Sequence, residues 1–134
     1  MKKTLAIGLV SAFTAGLFLI PNLWAVDAPC GEMMLKVPAG VKAKKGPVPF
    51  KHSDHKAYDC KVCHHTWDGK SEIKKCSASG CHDDFKTRKS KRSYYAAFHD
   101  KKSKRSCVGC HKMLKKEHKP TGPTSCNKCH TKKK

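Results

Sequence analysis

Apolar residues are gathered at the start of the chain and are scarce after it. Leu5 to Ile20 is an uncharged apolar run behind Lys2 and Lys3, and Leu23-Trp24-Ala25 closes it with a small residue. A positive head, an apolar stretch and a small-residue end predict a signal peptide over residues 1–25, cut after Ala25. A membrane anchor is the rival reading of the same run. A lipoprotein signal fits worse, because Pro29 rather than a small residue precedes Cys30. Further on, the pattern predicts only short elements. GPVPF (46–50) suits a turn and a short strand. SYYAAFHD (93–100) suits a short helix presenting His99, and CVGCHKMLKKEH (107–118) suits a second. KPTGPTS (119–125) is a loop, its Gly and Pro keeping both ends from being helical.

The expected mature chain, residues 26–134, is one domain with too little to bury. It holds 12 Leu, Ile, Val and Phe in 109 residues, and 27 Lys/Arg against 10 Asp/Glu. That composition belongs with chains that cannot bury enough apolar surface to offset ordering entropy. Yet nine cysteines and nine histidines all lie after residue 29. Something other than side chains must supply the core.

Eight cysteines form four pairs, each followed directly by histidine: Cys60-Lys-Val-Cys63-His64, Cys76-Ser-Ala-Ser-Gly-Cys81-His82, Cys107-Val-Gly-Cys110-His111 and Cys126-Asn-Lys-Cys129-His130. The first, third and fourth match the c-type haem attachment signature, in which two thioethers fix the porphyrin and the adjacent histidine reaches the iron. The second has four intervening residues, so its loop must bow out. A disulfide framework or a zinc site has no need for histidine after every second cysteine. Four covalent haem c groups are expected, forming most of the core. Successive motifs start 16, 31 and 19 residues apart, so they are not solenoid repeats.

With His64, His82, His111 and His130 as proximal ligands, four iron positions stay open for His52, His55, His65, His99 and His118. Met33 and Met34 precede the first motif, and Met113 lies two residues after a proximal histidine, badly placed to reach the same iron. Two histidines at every iron are the expected ligation, which keeps the reduction potential low. The doubled histidine then has a reason: His64 is tied to its own haem, and His65 points away and is free for a different one. His52 and His55, three apart, sit on one face of a helical turn and can serve two haems.

The segments FKHSDHKAYDCKVCHH, CSASGCHDD, YYAAFHDKKSKRSCVGCH and CNKCH resemble, in order and spacing, the class III cytochromes c, the tetrahaem cytochrome c3 family of sulfate-reducing bacteria. The likeness covers about residues 46 to 130. It implies a small, mostly irregular fold, with a short N-terminal β-hairpin and a few short helices wrapped around four haems. It implies the pairs His64 with His52, His82 with His65, His111 with His55, and His130 with His99, and leaves His118 solvent-facing. Many family members also have four-residue spacing at the last haem. Here that motif is Cys126-Asn-Lys-Cys129, which alters the loop around it.

Charge is uneven. Residues 26–84 carry 10 basic and 8 acidic side chains, and residues 85–134 carry 17 and 2. The lysines balance haem propionates and keep the protein soluble, and they also suit a docking face for an acidic redox partner. Nucleic acid, the other reading of a Lys-rich stretch, fits neither export nor haem. Cys30 belongs to no motif; an odd cysteine in an exported protein suggests an intermolecular bond or a free thiol, and the first of these would give a disulfide-linked homodimer. The expected function is a periplasmic, low-potential electron carrier rather than an enzyme. The resemblance implies hydrogenase as donor in anaerobic sulfate respiration, proton uptake coupled to reduction, and a membrane-bound or periplasmic acceptor. The rival is a multihaem reductase of a small anion or metal ion, which needs an open iron position that five spare histidines argue against.

Overall fold

The computed structural model describes residues 27–132. The expected signal peptide and its cleavage point lie outside the described residues. The elements are few and short. Strands β1 (Glu32–Leu35) and β2 (Val48–Lys51) form an antiparallel hairpin, followed by a 3-10 turn at Ser53–His55. Four helices follow: α1 (Cys60–Cys63), α2 (Tyr94–His99), α3 (Cys107–Lys116) and α4 (Cys126–Cys129). The hairpin register sets Met33 opposite Phe50 and Glu32 opposite Lys51, whose side chains form a 3.7 Å ion pair. Both charges are half-exposed, so the pair adds little beyond fixing the register.

Three of the four helices, α1, α2 and α3, start where a short polar side chain takes an orphan amide, whereas Ser125 at the start of α4 makes no such bond. Asp59 accepts from the Lys61 N–H at 2.7 Å, Ser93 from Ala96 at 3.1 Å and Ser106 from Gly109 at 2.9 Å. Ser93 and Ser106 are the fully buried side chains among the described residues, and each also donates to a carbonyl, of Thr87 and of Asp100. They join the 84–93 loop to α2 and the 100–106 turn to α3. Gly109 is required there for space, since a Cβ would collide with the Ser103 carbonyl and stand 2.5 Å from that of Asp100. Leu114, 7% exposed, is the buried apolar side chain among the described residues.

The α3 terminus shows what the sequence did not. The Lys119 N–H bonds the Leu114 carbonyl and the His118 N–H bonds that of Lys115, with His118 at φ +56°. This is a Schellman ending with a histidine where glycine is usual. His118 is exposed, as expected, and it also turns the chain back toward the third motif. A left-handed residue other than glycine costs roughly 1–2 kcal/mol, and the two capping bonds offset part of that.

Candidate functional site

Local backbone bonding presents each motif histidine in a similar way. Where two residues separate the cysteines, the stretch winds into one helical turn, and the His64 and His130 N–H groups reach back to the Cys60 and Cys126 carbonyls at 2.8 and 2.9 Å. The third motif opens α3. The second motif is no helix: two successive turns, with Gly80 at φ +81°, absorb the extra residues. The His82 N–H still bonds the Cys76 carbonyl at 2.9 Å. The bowed loop expected from the spacing is what forms, and it restores the same closure.

Each of the four motif histidines faces a second histidine. His52 and His64 have ring centroids 6.5 Å apart with planes 15° apart. His55 and His111 stand at 6.2 Å and 19°, and His99 and His130 at 6.0 Å and 6°. His65 and His82 are at 5.7 Å and 62°, with Nε2 atoms 3.5 Å apart. The adjacent residues His64 and His65 thus turn to different partners. The four pairs are those the resemblance implied, and His118 joins none of them.

Four of the eight rings are also set in the tautomer that iron needs. Nδ1 of His55, His99, His111 and His130 lies against the carbonyls of Lys51 (3.0 Å), Tyr95 (3.0 Å), Pro123 (2.9 Å) and Gly46 (2.7 Å). A carbonyl only accepts, so Nδ1 carries the proton and Nε2 keeps its lone pair. Burial, with the neighbouring His52, pushes the His64 pKa down, and burial with His65 does the same for His82. Burial is also the main cause of the depression at His99, which its bond to Tyr95 opposes. Depressed pKa values keep these rings neutral, which metal binding requires.

These residues fit haem. A metal–imidazole bond is about 2.0 Å and each ring adds roughly 1 Å, so two imidazoles across one ion have centroids about 6 Å apart. Three pairs already stand at that separation. The His65–His82 pair falls about half an ångström short of the roughly 4 Å between nitrogens that two such bonds span. No two of the nine cysteines pair as a disulfide within the chain, which leaves the eight in the motifs for thioether formation. Cys107 is pushed up to about 11, chiefly by burial, and burial also raises Cys63, Cys76 and Cys129. Among the described residues no three His, Cys, Asp or Glu side chains converge as a zinc site requires.

Three aromatic or cationic neighbours escaped the sequence reading. Phe50 stacks on His55 at 4.7 Å and meets His52 edge-on at 4.9 Å, touching one ring from each of two pairs. Tyr95 lies 4.2 Å from His99 at 5°, with the Arg88 guanidinium 4.8 Å from the centroid of the Tyr95 ring. The available signal was spacing: Tyr95 is four residues before His99 on α2, and Phe50 is two before His52.

Comparison with known proteins agrees with this geometry. The family model for the class III cytochrome c family matches residues 29–130. A cytochrome c3 of Maridesulfovibrio salexigens is 59% identical over 111 residues, covering 81% of this chain and all of that protein. One from Desulfovibrio desulfuricans is 52% identical over 107 residues, 80% of this chain and 99% of that one. Among solved structures, the di-tetrahaem cytochrome c3 of Desulfovibrio gigas superposes with a TM-score of 0.69 at 36% identity, covering 78% of this chain and 97% of that one. With the likeness spanning nearly the whole of these relatives, and four Cys-His motifs present to receive four c-type haems, this multihaem electron-transfer cytochrome belongs to the class III cytochrome c family.

Proposed function

We propose that the protein is a periplasmic, low-potential electron carrier and not an enzyme, exported by the signal peptide at residues 1–25. It takes electrons from hydrogenase in sulfate respiration and passes them to a membrane-bound or periplasmic acceptor. The observation that carries this reading is the second histidine opposite every motif histidine. The proposed ligand sets are His64 and His52 at Cys60/Cys63, His82 and His65 at Cys76/Cys81, His111 and His55 at Cys107/Cys110, and His130 and His99 at Cys126/Cys129. When bound, haem supplies reversible one-electron chemistry. The chain's part is to hold two neutral imidazoles on each iron, which disfavours small-molecule binding there and keeps the potential low. A reductase would need one of these positions open, and no motif histidine lacks a facing ring.

The basic C-terminal half supports an acidic donor. Complementary charge raises association rate more than affinity, which suits a carrier that must also leave. Under hydrogen with catalytic hydrogenase, reduction of the protein should be fast at low salt. It should slow by roughly tenfold or more toward 0.5 M salt as screening shortens the reach of the charges. A rate indifferent to salt would remove the electrostatic docking face, and no reduction at all would remove hydrogenase as donor.

The proposal extends to a homodimer through Cys30, whose thiol is exposed. Denatured protein should migrate at twice the monomer mass without reductant and at the monomer mass with it. Identical migration would exclude the disulfide.

A further inference from the structure

The four carbonyls that hold Nδ1 protons have different origins. His55 and His99 use Lys51 and Tyr95, each four residues earlier in the chain. The motif histidines His111 and His130 use segments 12 and 84 residues away. Both distant segments are Gly-Pro dipeptides, Gly46-Pro47 and Gly122-Pro123, and the sequence contains no other Gly-Pro step.

In both, the glycine sits where no side chain fits. A Cβ on Gly122 would stand 2.6 Å from Cε1 of His111 and 3.1 Å from each ring nitrogen. A Cβ on the buried Gly46 would run into the Thr131 carbonyl and lie 2.7 Å from the Thr131 hydroxyl oxygen. Both segments are also tied down. The Thr121 hydroxyl donates to the His111 carbonyl at 3.2 Å, and the Thr131 N–H and hydroxyl donate to the Pro47 carbonyl at 3.0 and 3.1 Å. The other two pairs contrast with this, since Nδ1 of His52 and of His82 is buried without a protein partner.

We propose that the two Gly-Pro segments are straps that position the imidazoles of His111 and His130. By accepting their Nδ1 protons, the straps hold the haems on Cys107/Cys110 and Cys126/Cys129 at lower potential than they would otherwise have. An acceptor on Nδ1–H makes the ring a stronger donor at Nε2, and a stronger donor favours the oxidised iron. The negative end of the carbonyl dipole acts in the same direction. The two glycines are therefore positioning residues: a side chain at 122 would push on the His111 ring itself, and one at 46 would push on Thr131, the residue that follows His130. The inference rests on the reading of His111 and His130 as iron ligands.

The test uses the haem-loaded protein with Gly122→Ala and, separately, Gly46→Ala. Intact mass confirms four haems, and NMR follows the reduction of each haem. Gly122→Ala should raise only the haem on Cys107/Cys110, making it about tenfold more reduced at a fixed potential, or 59 mV for one electron. Gly46→Ala should do the same only at Cys126/Cys129. Equal movement of all four haems, or of none, would overturn the proposal. If either variant loses haem, the unsubstituted protein decides: its His111 and His130 ring N–H protons should exchange as slowly as those of His55 and His99. Exchange as fast as free imidazole would overturn it. A failure of the ligand reading itself would look different, because the unsubstituted protein would then lack the low-spin spectrum of two-imidazole haem.

Discussion

Made without its haems, residues 26–134 are expected to give the far-ultraviolet dichroism of an unfolded chain and no cooperative thermal transition. The cause is the absence of a side-chain core. Among the described residues Leu114 is the buried apolar side chain, and the fully buried ones are serines. Burying one leucine contributes roughly 1.5–3 kcal/mol. Ordering a backbone costs about 1–2 kcal/mol per residue. The elements cannot close that gap alone: α1 and α4 are single turns of four residues, and α3 has ten. Isolated helices below roughly 12 residues are marginal in water, and so is a lone two-stranded hairpin. Folding is therefore coupled to cofactor attachment, as in small metal-dependent domains. A haem-free chain that melted cooperatively would show an apolar core larger than the single buried Leu114 found among the described residues.

The second large effect concerns ligation. His99→Met is expected to raise the potential of the haem on Cys126/Cys129 by on the order of 0.2 V, with the other three moving far less. Methionine in place of histidine raises the potential, and axial ligation spans roughly 0.8 V across haem proteins. The substitution is suited to the site. His99 ends α2, faces His130 at 6.0 Å, and leaves space that a flexible thioether of similar reach can fill. A potential-resolved optical titration reads the result. If no haem moved, His99 would not be a ligand and the proposed pairing at Cys126/Cys129 would fail. If a different haem moved, the pairs would need to be reassigned.

How much of this was legible beforehand depended on how local each feature is. The attachment motifs read directly, because cysteines and a histidine one to six residues apart are held by one turn or a short loop. The helices expected at SYYAAFHD and CVGCHKMLKKEH form as α2 and α3, and the loop at KPTGPTS remains a loop. Strand β1 had no signal in its own residues beyond the resemblance, since Glu32–Leu35 is largely exposed. The single turns α1 and α4 are imposed by the motifs they contain. His118 shows the opposite failure. Nothing in a Lys-rich segment marks one residue as left-handed, and only the two bonds to Leu114 and Lys115 reveal it.

The sequence alone determined that its side chains cannot supply a core, that four Cys-His motifs are present to receive haem, and that enough histidines exist to ligate each iron twice. Those conclusions follow from composition and short spacing, which no folding can change. Tertiary structure decided which histidines meet. His55 reaches His111 and His99 reaches His130 across intervals along which no local rule propagates. It also decided that Gly46 and Gly122 bring their segments against His130 and His111. A contact between distant segments depends on where the whole chain runs, and here the chain runs around cofactors whose shape its residues do not encode.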